Sequence, residues 1–229
     1  MNDNRLGGLA LILGALSGII TLTFHPAGGS HHVTPAQFEI LIAVIVGVHA
    51  LAICGLPICF AGALALTRRI DSPMRLALFG LIIYGFGLVA VMTAATMSGL
   101  VTPDMLRQIV TKSGSADHLH PLINYTHSLN QGFARIGAVA FSVAIFSWSL
   151  VAIRTRTLPI ALALYGLISS GAIIVALVIG YLNLDLHGFR VITLIQSLWF
   201  FAAGVVLWRA GSAIMPSMHP VSSNRPASI

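Results

Sequence analysis

Charge is what this sequence has least of: 8% of its 229 residues are Asp, Glu, Lys or Arg, against about 25% in soluble domains. With 57% hydrophobic residues, a water-soluble fold would have too little polar surface to cover its apolar side chains. The six acidic residues and the one lysine, Lys112, stand singly, and the arginines fall between apolar runs, with only Arg68 and Arg69 adjacent. The net charge of +6 therefore forms no basic patch, which excludes nucleic acid as a partner. Two cysteines, Cys54 and Cys59, fall in one apolar run. Helical spacing sets them about 140° apart, too divergent to bridge each other. CxxC, GxGxxG, Walker, HExxH and GxSxG patterns are all missing, which weakens every soluble-enzyme reading.

What is present is long apolar runs. Leu6 to Phe24, Phe38 to Leu66, Leu76 to Leu100, Gly132 to Ile153, Leu158 to Leu182 and Val191 to Trp208 each approach the length needed to cross the hydrocarbon, about 20 residues as a helix. The first lacks a small-x-small cleavage site after Phe24-His25-Pro26 and reads as a retained span. The predicted fold is all-α: a polytopic membrane domain over 1–209, with a Pro/Ser-containing disordered tail over 210–229. Arg5, Arg68, Arg69, Arg75, Arg154, Arg156, Arg209 and Arg225 fall on the side of the termini, and Arg107, Lys112, Arg135 and Arg190 on the other. Positive-inside asymmetry then puts both termini in the cytoplasm and the protein in the cytoplasmic membrane. Most histidines, His25, His31, His32, His118, His120, His127 and His187, face outward, and His219 lies in the tail.

The sequence also repeats. LALFGLI at 76–82 returns as LALYGLI at 162–168, and the same 86-residue offset pairs Phe60 with Phe146, Arg68 with Arg154 and Pro73 with Pro159. A weaker echo, offset by 141, aligns FAGALALTR at 60–68 with FAAGVVLWR at 201–209. Three related helical hairpins follow, about 5–66, 75–153 and 158–209. The two offsets carry His49 onto Arg135 and Arg190, giving each even helix an ionisable residue near the outer edge of the hydrocarbon.

These three residues are expected to line an outward polar vestibule, although snorkelling arginines and a hydrogen-bonded interhelical histidine are the plainer alternative. His127, Gln131 and Arg135, spaced i, i+4, i+8 on a fourth helix starting at Pro121, are expected to share one face of it. Glu39 and Asp185 are the carboxylates available to Arg135 or Arg190. Asp117-His118-Leu119-His120 on an extended chain, with His127 beyond, supplies nitrogen ligands for zinc or copper. Gly14, Gly18, Gly80 and Gly87 are small residues for close helix packing.

Three function classes fit: a protein that binds or transports a small or lipidic ligand, a structural or assembly subunit of a membrane complex, and a metal-dependent membrane hydrolase. The first is favoured because it uses the repeat and the polar ring together. No catalytic residue is assigned.

Overall fold

The computed structural model describes residues 2–26, 34–70, 75–112, 116–181 and 186–212. The elements are α1 (Asp3–Phe24), α2 (Pro35–Arg69), α3 (Leu76–Thr96), a π-helical turn (Met97–Val101), α4 (Thr102–Thr111), α5 (Ala116–Thr155), α6 (Ile160–Val178) and α7 (Leu186–Ser212). Six stretches are long and apolar enough to cross a membrane, with α3, the π turn and α4 counting as one. The chain is a multi-span helical membrane protein. His31, His32, Asp185, His219 and the tail beyond Ser212 lie outside the described residues.

Local sequence explains the helix ends. The Asn2 side chain caps α1 by accepting from the Asn4 and Arg5 amides, and Thr34 and Gln37 close a reciprocal capping box ahead of α2. Pro103 lacks an N–H and its ring would crowd the Gly99 carbonyl four residues back. The π turn at Met97–Val101 relieves that conflict without ending the helix.

The helix starts differ from expectation in one region. The polar segment 101–131 was expected to be external chain with a helix beginning at Pro121. Its described residues form α4, which was not expected, and the first turns of α5, which begins at Ala116, five residues ahead of Pro121. Helix α5 has 40 residues, about 60 Å at 1.5 Å per residue, and so extends far beyond one hydrocarbon thickness. Helices α2 and α3–α4 are similarly long, whereas α1 and α6 match a single crossing.

Helices α2, α3, α5 and α7 share an aromatic core. Tyr84, 1% exposed, lies 4.8 Å from Phe141, 5.2 Å from Phe200, 5.6 Å from Trp148 and 6.4 Å from Phe60 between ring centroids. Trp148 stacks on Trp199 and donates its indole N–H to both Thr67 Oγ1 and the Ala77 carbonyl at 3.1 Å. That satisfies the one polar atom of a fully buried indole. Outside the core, Phe86, Val89, Ile168 and Val178 are exposed, as lipid-facing side chains are.

Helix α1 packs along both α2 and α7, while α6 packs mainly on α5 and makes a smaller contact with α7. Glycines set the close approaches. Gly7, Gly14 and Gly62 join α1 to α2, Gly8 and Gly204 join α1 to α7, and Gly87 seats the Ala140–Phe141 stretch of α5. Gly80 lies under the Trp148 indole, and Gly18 touches only Ser197 and Thr193 side chains. Asn2 Nδ2 donates to the Gly211 carbonyl at 3.2 Å, so the start of α1 and the end of α7 meet at one end of the bundle.

Candidate functional site

The opposite end of the bundle opens into a cleft of about 380 Å³ between α1, α2, α3, α5 and α7. Its polar lining is Thr21, His25, His49, Ser98, His127, Asn130 and Gln131. A smaller apolar pocket of about 90 Å³ lies deeper, and Thr21, Leu22, Ala52, Val91 and Phe189 border both. Gln196 and Thr193 are the polar residues of α7 in that deeper pocket. Gln196 is 3% exposed and its amide donates to the Ala138 carbonyl and to Ser142 Oγ, tying α7 to α5.

Two imidazoles stand at the centre of the cleft. His25, just past α1, and His49, mid-α2, meet edge to face with ring centroids 5.0 Å apart. His49 Nδ1 lies 2.7 Å from the Ile45 carbonyl and His25 Nδ1 lies 3.1 Å from the Pro26 carbonyl. A carbonyl only accepts, so Nδ1 carries the proton in both neutral rings, and Nε2 is the acceptor that each has to offer. Burial holds the His25 imidazole below its ordinary pKa; its bond to the Pro26 carbonyl pulls upward and the nearby Arg190 charge adds to the lowering.

His49 is positioned by the π turn. Gly99, buried in that turn, presses against the His49 ring so closely that a Cβ there would overlap it. Thr21 Oγ1 donates to the Val48 carbonyl at 3.0 Å, fixing α1 to α2 beside the same histidine.

The cleft takes some of the residues expected to form the site and not others. His49, His127 and Gln131 line it together. Arg135 is exposed and is not among its lining residues. Positions i, i+4 and i+8 drift about 40° per step, so Ala134 and Ala138 continue the inner stripe and Arg135 turns outward. Arg190 borders a neighbouring groove, where Nη2 donates to the His25 carbonyl at 2.8 Å.

Glu39 pairs with neither of those arginines. It forms an exposed 3.0 Å salt bridge to Arg107, because α4 prolongs the third span alongside the start of α2.

The proposed zinc or copper ligands are also separated. His118 and His120 lie on helical, not extended, chain, which turns them about 200° apart, and His120 and His127 differ by about 10 Å of rise. All three are exposed, and no group of three or more His, Cys, Asp or Glu among the described residues is placed to hold an ion.

Sequence reasoning missed the roles of His25, Asn130, Thr21 and Gln196. The signal for His25 was its position directly after the first apolar run, which puts it at the level where the second span carries His49. Compared with protein-family models, curated proteins and solved structures, the chain matches none.

Proposed function

We propose that this chain is a cytoplasmic-membrane protein that binds, and in one reading transports, an uncharged amphiphile bearing a hydroxyl group. The supporting observation is the continuity of the cleft: a polar mouth runs into an apolar pocket through shared walls at Thr21, Leu22, Ala52, Val91 and Phe189. The lining contains no arginine, lysine or carboxylate, so an ionic headgroup would find no countercharge there. Acceptor nitrogens on His25 and His49 suit a hydroxyl donor, and the side-chain amides of Asn130 and Gln131 both donate and accept.

Of the three ionisable residues expected to line the vestibule, this reading keeps His49 alone, because the arginines stand off the cleft. Concave, mostly apolar sites with a few convergent polar groups are the usual form of small-molecule sites. The mouth lies at the end away from the termini, so with cytoplasmic termini it faces outward. Gly80 and Gly166, aligned by the 86-residue offset, each lie under an indole nitrogen, of Trp148 and Trp199 respectively. That likeness supports reading the bundle as related hairpins.

The test is mass spectrometry of solvent extracts from detergent-purified wild type, His49→Ala and Ala52→Trp. A hydroxylated amphiphile retained by wild type and lost from both variants, with their thermal unfolding preserved, is the expected result. Extracts from all three that contain the same lipids in the same ratios would overturn the reading.

A further inference from the structure

A second groove, about 350 Å³, lies between α1 and α7 beside the cleft and is lined by Ile19, Leu22, Thr23, Arg190 and Leu194. Leu22 is the wall it shares with the cleft. Its surroundings face lipid: Ile20 is 43% exposed, Val191 50% and Leu194 56%. Arg190 stands in the first turns of α7, at the membrane edge, and is only half-buried.

Among the described residues the guanidinium is held but not neutralised. Nη2 donates to the His25 carbonyl, Nε is buried without a hydrogen-bond partner, and no carboxylate among the described residues pairs with it. A fixed cation beside an apolar furrow flanked by exposed apolar side chains matches a phosphate joined to acyl chains. Arg135 lacks this setting: it is exposed and lines neither the groove nor the cleft. A snorkelling arginine would need no buried donor and no furrow.

We infer that the α1–α7 groove is a binding site for an anionic phospholipid, whose phosphate is received by Arg190 and whose acyl chain lies along Ile19, Leu22 and Leu194. The site is separate from the cleft and does not depend on the cleft's ligand. Because the same guanidinium holds the His25 carbonyl, the lipid would also steady one of the two imidazoles.

The experiment is native mass spectrometry of the full chain, titrated with phosphatidylglycerol or with phosphatidylcholine of the same acyl chains. Wild type is expected to bind phosphatidylglycerol roughly five- to tenfold more tightly than phosphatidylcholine. Arg190→Gln should lose that preference and Arg135→Gln should keep it. Leu194→Trp, a change at an exposed position that fills the furrow, should also lose it and serves if Arg190→Gln does not fold. Equal binding of the two lipids, or an undiminished preference in Leu194→Trp or in a folded Arg190→Gln, overturns the inference. So does inorganic phosphate that displaces the lipid at equal concentration, since the site would then recognise the free anion.

Discussion

At the scale of single residues, the cleft depends on one atom that is absent. Gly99 has no Cβ where His49 needs room, so Gly99→Ala should push the imidazole away from His25. The expected result is loss of ligand retention with destabilisation of about 1–3 kcal/mol, the usual range for overpacking, read from thermal unfolding beside the extract assay. His25 gives a pH signature. Its folded pKa lies below the unfolded value, so the unfolded chain binds more protons as pH falls below about 6.5, and stability declines there. Above that pH its contribution is fully present. The groups facing it are Arg190 from α7, His49 from α2 and His127 from α5. The melting temperature should be flat from pH 8 to about 6.5 and then fall, and His25→Gln should make the fall shallower; an identical fall in the variant would remove His25 as the source. The histidines were visible in the sequence, but their pairing was not. His25 and His49 are joined by the return of α2 alongside α1; their common level could be read from the spans, but that their rings face each other could not.

At the scale of elements, hydropathy read the apolar spans well and the polar helices badly. The six spans were legible because lipid demands long uninterrupted apolar stretches. Segments 102–111 and 116–120 were not, since a polar helix needs only some partner to pack on and carries no apolar run. The i, i+4, i+8 pattern on α5 was a second source of error, as its drift carried Arg135 out of the cleft. Close glycine contacts were partly legible: Gly14, Gly80 and Gly87 were identified as packing residues, whereas Gly8 was not. A Cβ at Gly8 would stand 2.6 Å from both the Gly204 carbonyl oxygen and the Trp208 nitrogen, and main chain yields less readily than a side-chain tip. Gly8→Val should therefore separate α1 from α7 and lower stability by about 1–3 kcal/mol or more. Gly47→Val, where open space surrounds the position, should change stability by less than about 0.5 kcal/mol. Comparable unfolding of the two variants would refute the close-packing account.

At the scale of the whole molecule, the proposed sidedness, with both termini cytoplasmic, rests on arginine asymmetry. In a chain lacking Cys54 and Cys59, Ser128→Cys on the exposed upper part of α5 should react with a membrane-impermeant maleimide in intact cells. Thr157→Cys, at the opposite end, should react only after the membrane is opened; the reverse pattern would invert the topology. The heights of the helices then bear on how the proposed ligand would reach the cleft. Helices α2, α3–α4 and α5 continue well past it, while α1 ends at Phe24 and α7 begins at Leu186, level with the mouth. Among the described residues, then, the helical rim is high where α2, α3–α4 and α5 stand and low at α1 and α7. If the proposed amphiphile enters over that low side it would arrive from a two-dimensional solvent, and occupancy should follow its mole fraction among the lipids and not its molarity in water. Diluting the bilayer with inert lipid would empty the cleft even when the total amount of ligand is unchanged.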